Sequence, residues 1–308
     1  CTAAHGSRTE SMPEVSVVIP TFNRRARLEQ ALDSVLGQTY RDFELIVVDD
    51  GSTDGTESLD AIAGNTDGRV RYCRFECNGG VARARNAGAA HARGHRLAFL
   101  DSDDLWRPEK LEEQVGWFHR NPHGRIAQTR VVWVRNGRRV NPPPAYEPGG
   151  TDLFEQSLAR CMITPSAVML DKELFDRAGG FNESLRACED YDLWLRITCT
   201  HPVGLVDKYL VTRFGGHEDQ LSVTVPILDR FRVRALIDLV TRGELDIYQL
   251  KRARAMLAKK ARILADGYRK RGNHYAYEQY AAIATWAQSN ETTPAAHAAG
   301  PLHRTAAG

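Results

Sequence analysis

The hydrophobic positions change rhythm along this chain, and the change divides it. In the first hundred residues, short continuous apolar runs alternate with stretches of helical period. The run Val15–Ile19, apolar but for Ser16 and ended by Pro20, has the hydrophobicity of a strand buried on both faces. Behind it Leu28, Ala31, Leu32, Val35 and Leu36 recur at i, i+3, i+4, i+7 and i+8, one face of a helix, with Gly37 as its stop. "FELIVVDDGSTDGTESLDAIAG" repeats the plan as strand, acidic turn and helix. "RVRYCRF" is a further strand, "GGVARARNAGAAHARG" a small-residue helix suited to close packing, and "HRLAFL" closes the series. This alternation predicts a parallel, right-handed α/β sheet.

After Pro108 the pattern loosens. "EKLEEQVGWFHRNP" reads as a helix, "IAQTRVVWVRNGRRV" as an alternating strand and hairpin, and "NPPPAYEPGG" as a loop that cannot be a central strand. "SAVMLDKELFDRAGGF" gives strand, helix and glycine turn, and "EDYDLWLRITC" a helix with acids at its positive end. From Pro226 the chain reads as helical. Ile247, Leu250, Leu257, Ala261, Leu264 and Tyr268 mark one face of a long helix, and "AYEQYAAIATWA" supplies a partner. The expected organisation is a main domain over 14–225 and a helical extension over 226–287. Residues 1–13 and 288–308 lack a core pattern and are expected to be disordered.

Composition narrows the class. With 42% hydrophobic and 26% charged residues the chain is an ordinary globular one, and a net charge of +2 supplies no basic face for nucleic acid. The six cysteines are scattered, and Cys73 and Cys77 have no second ligand pair, so they read as free thiols. No apolar run approaches the ~20 residues of a membrane span and no secretory core is evident, so a reducing, cytoplasmic setting is expected. Nine Lys and Arg between Lys251 and Arg271 stand against one acid, Asp266. Such a helix reads first as a solvated outer face, and second as a peripheral contact with the inner face of an anionic membrane.

Ligands of open α/β sheets sit beyond the carboxyl ends of the strands. Three such ends are Pro20-Thr21-Phe22-Asn23, Asp49-Asp50-Gly51-Ser52 and Asp101-Ser102-Asp103-Asp104. An acidic cluster there can cap a loop, perform acid–base work or hold a divalent cation. Oxygen ligands suit Mg²⁺ or Mn²⁺, and Mg²⁺ is typically held by one or two carboxylates plus substrate phosphates. Neither a P-loop nor a G-x-G-x-x-G sequence is present, so a nucleotide bound here is read mainly by acids, its diphosphate bridged through the cation.

"VSVVIPTFNRRARLEQALDSVLGQTYRDFELIVVDDGSTDGT", "NGGVARARNAGAAHARGHRLAFLDSDDLW" and "EDYDLWLRI" together resemble the family 2 inverting glycosyltransferases of the GT-A fold, over roughly residues 14 to 225. The resemblance implies a Rossmann-like, mostly parallel central sheet flanked by helices, with a nucleotide-binding half over 14–104 and an acceptor-binding half over 105–225. It implies a nucleotide-diphospho-sugar donor (a UDP-sugar favoured), a Mn²⁺ or Mg²⁺ ion at the D-x-D, and direct displacement with inversion. The acceptor would be a saccharide, a lipid-linked molecule or another hydroxyl compound, read mainly by the region from Arg135 to Ser184.

Carried onto this chain, the resemblance puts Pro20, Thr21 and Asn23 on the first nucleotide loop and makes Asp50 the acid reading the base. Asp49 and Asp50 could otherwise cap a turn. Arg83 or Arg85 would face the diphosphate. Asp101, Ser102 and Asp103 form the D-x-D, with Asp101 and Asp103 as metal ligands and Asp103 as the direct one. Asp104 would bond the donor sugar or brace the loop. Asp190 matches the catalytic base, and Glu189 would position hydroxyl groups. His217, after two glycines, would contact metal or diphosphate from a loop able to close over the donor. Trp106 could stack on sugar or base, whereas Trp194 has core spacing. Three rivals stand beside this reading: a sugar nucleotidyltransferase, whose glycine-rich signature "PTFNRRARL" lacks; a non-catalytic nucleotide-sugar binder, disfavoured by having both Asp103 and Asp190; and a scaffold acting through the helical tail.

Overall fold

The computed structural model describes residues 12–58, 68–141, 153–217, 220, 224–289 and 291. The helix expected after Glu57, the loop over 142–150 and most of both terminal segments lie outside the described residues.

The apolar run at the start forms β1 (Val15–Thr21), buried along its whole length. It extends through Pro20 rather than stopping there. Val18 O accepts from Leu100 N, so Pro20, two residues on, turns its ring nitrogen to that same side, past the end of the neighbouring strand, where no ladder bond is lost. β2 (Phe43–Asp49) and β3 (Val70–Arg74) follow in parallel on one side of β1, and β4 (Arg96–Phe99) lies parallel on the other. The chain therefore reverses direction across the sheet between β1 and β4, which opens a crevice at their carboxyl ends.

Period-two alternation in β1 sends its residues to two cores. Val15, Val17 and Ile19 meet α1 (Arg25–Leu36) and α3 (Lys110–Arg120), while Val18 meets α2 (Val81–His91). α2 lies so close to the sheet that a Cβ on Gly88 would stand 2.3 Å from Val18 Cγ1, which accounts for the run of small residues.

The second half makes the sheet mixed. β5 (Leu105–Trp106) is short, β6 (Ile126–Arg135) turns through Asn136-Gly137 into β7 (Arg138–Val140), and β8 (Val168–Asp171) inserts antiparallel between β4 and β6. β9 (Gly204–Gly215), which the hydrophobic pattern did not reveal, runs parallel to β6 and pairs with β5 at its far edge. The order β3-β2-β1-β4-β8-β6-β9-β5 gives a mixed sheet, parallel from β3 to β4 and flanked by helices.

α4 (Phe154–Ala159) and α5 (Lys172–Arg177) are short, and α6 (Glu189–Thr198) carries the second acidic pair. α7 (Asp229–Thr241), α8 (Ile247–Lys270) and α9 (His274–Trp286) form the helical extension. Asp246 and Gln249 close a capping box that starts α8. The extension shares a core with the main domain: Leu236, Leu257 and Ile283 pack with Phe154, Leu158, Tyr191 and Leu195. Many of the α8 cations are engaged within the protein. Lys260 is buried and donates to Ala159 O (3.1 Å) and Asp229 Oδ1 (3.2 Å), Arg252 pairs with Glu155, and Arg254 donates to Ser289 O. No helix among the described residues is long and apolar enough to cross a membrane.

Candidate active site

The crevice between β1 and β4 widens into a cleft of about 880 Å³, bounded by the D-x-D loop, the start of α6 and the ends of β6 and β9. The third strand-end loop, with Pro20 and Arg24 of the first, lines it, and the first two loops are stitched together beside it. Asn23, at φ 51°, donates its backbone N–H to Ser52 Oγ (2.9 Å) and accepts from Thr53 N (2.7 Å). Asp49 is the turn cap: its Oδ1 accepts from Ser52 N at 2.9 Å, and Tyr72 donates to its Oδ2. Asp50 reaches elsewhere, accepting from Gly79 N (2.9 Å) and Gly80 N (2.7 Å) at the entry to α2. Burial pushes the Asp50 carboxyl up, against the pull of those two amides and Arg83. A carboxylate has about four acceptor positions, so these bonds leave capacity for a ligand. Thr21 Oγ1 is buried with no hydrogen-bond partner among the described residues, and Pro20 lines the cleft.

Of the two arginines on α2, Arg85 enters the cleft. Arg83 turns back, its guanidinium 4.0 Å from the centroid of the Phe75 ring. Arg85 is buried and forks between two acids, with Nη2 2.6 Å from Asp101 Oδ1 and Nη1 2.7 Å from Glu189 Oε1. Burial raises the Asp101 carboxyl, but Arg85, Arg213 and Arg24 outweigh it and hold the group below the usual range. Glu189 shares only part of that cation. Burial and the adjacent Asp190 push it up to about 7 despite Arg85.

The other acids of the cluster separate by role. Asp103 Oδ2 lies 2.8 Å from His217 Nε2 and 3.0 Å from Arg24 Nη1. Asp103 Oδ2 is thus hydrogen-bonded to the imidazole and paired with Arg24, and the acid and the histidine stand side by side at the cleft. Among the described residues no group of three or more His, Cys, Asp or Glu could hold a metal by itself. The pair suits an ion such as Mn²⁺ whose remaining ligands are diphosphate oxygens and water. Asp101, tied to Arg85, could reach such an ion only by sharing its carboxylate. Asp104 is the loop brace: it accepts from Ser166 Oγ (2.6 Å) and from Phe214 N (3.1 Å), and burial with two neighbouring carboxylates pushes it up to about 8. Ser102 is buried at the cleft wall. The expected stacking role of Trp106 is corrected. Its ring is buried beneath Lys110 Nζ, and Nε1 donates to Ser166 O at 2.8 Å, so it belongs to the core, as does Trp194.

Glu189 and Asp190 open α6 behind Cys188, which holds the left-handed φ of 62°. That turn sets Asp190 on the cleft wall, where Oδ1 accepts from Tyr191 N (2.7 Å) and the Cys161 thiol approaches Oδ2 at 3.4 Å. Arg24, Cys161, Ser166 and Arg213 were not singled out by sequence. Arg24 alone carried a signal, sitting next to the first loop.

Comparison with known proteins gives the family and the fold. The model of glycosyl transferase family 2 matches residues 16–179, more than half of the chain. The chain therefore belongs to glycosyl transferase family 2. It is 35% identical over 197 residues to an uncharacterized glycosyltransferase of Rickettsia conorii, covering 64% of this chain and 32% of that protein. It is 31% identical over 196 residues to the chondroitin synthase of Pasteurella multocida, covering 62% of this chain and 20% of the synthase. The chain thus spans a third or less of the length of these two relatives. In fold it is similar to residues 1–349 of S. aureus TarS in complex with UDP-GlcNAc (TM-score 0.61, 18% identity, 90% of this chain and 93% of that one). It is also similar to a Pyrobaculum calidifontis mannosyltransferase in complex with GDP-Man and Mn²⁺ (TM-score 0.57, 21% identity, 91% and 89%). The fold is that of the GT-A structures.

Proposed function

We propose that the protein transfers a sugar from a nucleotide-diphospho-sugar, a UDP-sugar in the first instance, to an acceptor hydroxyl with inversion, in polysaccharide or glycoconjugate synthesis. The observation that carries this reading is the Arg85 fork, which joins the D-x-D to the acidic start of α6 within one cleft. The base would lie on the first two strand-end loops, read by Asp50 and flanked by Pro20, Thr21 and Asn23. Asp103 and His217 would hold Mn²⁺ or Mg²⁺, with Asp101 beside them, and the bound ion would offset charge on the diphosphate. Asp190 takes the proton from the acceptor hydroxyl as its oxygen bonds to the anomeric carbon. The carbon–oxygen bond to the diphosphate breaks on the opposite face, and the nucleoside diphosphate leaves with that electron pair. Glu189, fixed by Arg85, orients hydroxyl groups and sets the electrostatics around Asp190.

The test is a panel of nucleotide sugars assayed with Mn²⁺ for nucleoside diphosphate release, with product configuration read by NMR. Release that requires an acceptor and gives an inverted linkage is expected. A retained configuration, or no release from any donor, would overturn the reading.

A further inference from the structure

The cleft wall opposite the acids carries chemistry that proton removal and diphosphate release do not use. The β6–β9 register sets Trp133 opposite Arg213, which sends both side chains to one face of the sheet. The Arg213 guanidinium lies 5.4 Å from the Trp133 ring centroid, and both residues line the cleft. Among the described residues no oxygen hydrogen-bonds Arg213, although burial and three nearby acids act on it. Its charge survives that burial because Asp104, Asp101 and Asp190 favour it. A planar fork of five donors therefore faces the cleft beside Asp190 with its bonding capacity open.

The same wall carries an exposed ring and further cations, of which Arg130 is paired with Asp207. Tyr209 is 49% exposed, with Arg130 and Arg139 each 5.9 Å from its ring centroid, and Arg135 lines the cleft at the end of β6. No cleft-lining residue of β6, β7 or β9 is an Asp or Glu, whereas the opposing wall holds Asp101, Asp103, Glu189 and Asp190. Aromatic faces with guanidinium groups between them match a saccharide that carries an oxyanion. A neutral sugar would satisfy the rings and leave Arg213 desolvated without a partner.

We infer that the acceptor carries an anionic group, carboxylate or phosphate, close to the reacting hydroxyl and held by Arg213, with a sugar ring against Trp133 or Tyr209. This rests on the reading of Asp190 as the acceptor-side base, and it names the acceptor class.

The test uses the full chain with UDP and Mn²⁺ present and measures binding of three probes by calorimetry. They are an oligosaccharide ending in glucuronate, an oligomer of glycerol phosphate, and a neutral cello-oligosaccharide of similar length. One or both anions should bind roughly 10–100-fold more tightly than the neutral probe, as charge-assisted bonds provide; which anion wins identifies its source. Arg213→Gln should bring that anion down to the level of the neutral probe, and Arg213→Lys should keep part of the preference. Equal binding of all three probes, no binding of either anion, or an Arg213→Gln variant that loses UDP as strongly as the anion would overturn the inference. Should Arg213→Gln fail to fold, Arg135→Gln carries the same comparison, with a loss of about threefold expected for an exposed cation. The two readings fail separately: absent nucleoside diphosphate release counts against sugar transfer, and equal probe binding in an active enzyme counts against the anionic acceptor alone.

Discussion

Arg85 and Glu189 meet at 2.7 Å across 104 residues of chain, and the same guanidinium holds Asp101 at 2.6 Å on its other side. Both helices that frame the cleft are fixed to one cation. Arg85→Ala would leave two carboxylates without it, and breaking such a buried pair costs about 3–5 kcal/mol. Urea denaturation should show a loss of that order. Arg85→Lys should fall between, because one ammonium cannot reproduce a planar fork. A stability within about 1 kcal/mol of wild type for Arg85→Ala, the value of a surface pair, would mean that the fork is decoration.

Glu189 should leave a signature in pH. Its carboxyl is raised to about 7 in the folded protein, from an ordinary 4.5, by burial first and by Asp190 second. Between those values the folded state binds more protons than the unfolded one, so stability falls as pH rises through this window. The slope approaches at most ~1.4 kcal/mol per pH unit for one group. Glu189→Gln should flatten the curve, measured by denaturation with chelator present. Unchanged curvature would place the titration elsewhere.

Asp190→Asn keeps shape and removes basicity. Transfer should slow by ~10²–10⁴-fold, while donor affinity stays within about threefold, ~0.65 kcal/mol. Glu189→Gln should cost less in single-turnover transfer. Near-native transfer by Asp190→Asn would remove its assignment as base.

Asp103 and His217 should share one metal dependence. Asp103→Asn is expected to lower activity by orders of magnitude with the fold retained, as circular dichroism would report. His217→Ala should raise the Mn²⁺ concentration needed for half-maximal activity by at least the ~10–100-fold typical of losing a metal-orienting group. Full activity in EDTA would rule out both roles.

Asp50 makes a prediction with two readouts. Asp50→Ala removes the acceptor for two part-buried amides, at a cost of about 1 kcal/mol for each, since water can reach them. UDP affinity should fall as well. A stability loss with unchanged UDP affinity would identify Asp50 as a loop tie only.

The strand-end loops were legible because strands buried on both faces read as nearly continuous apolar runs, as Leu45–Val48 and, but for Ser16, Val15–Ile19 do. Topology then brings their ends together. β9 escaped notice for a physical reason: its pairing with β6 shifts register at Thr129, Arg130 and Val131, and the irregularity breaks the alternation between Val206 and Leu210. Within the acidic cluster, Asp103 and Asp104 are adjacent in sequence yet one faces His217 and the other Ser166. Which way each points depends on the turn and on β9, neither of which sequence spacing encodes. Arg85 was visible as a cation on a helix, but its partners come from the loop after β4 and from α6, and only the assembled fold sets them side by side.

The shared core of Tyr191 and Leu195 with α7, α8 and α9 bears on how this protein can be cut and recombined. The recognisable family segment stops at residue 179, ten positions before Glu189, and the obvious second cut, before Pro226, removes the helices that seat α6. A fragment ending at either point would keep the first strand-end loops but lose the acidic start of α6, or bare the apolar underside of its helix to water. The unit that recombination can move intact therefore runs through Trp286, and drift in the outer helices can shift the acidic start of α6 without altering a residue of the cleft.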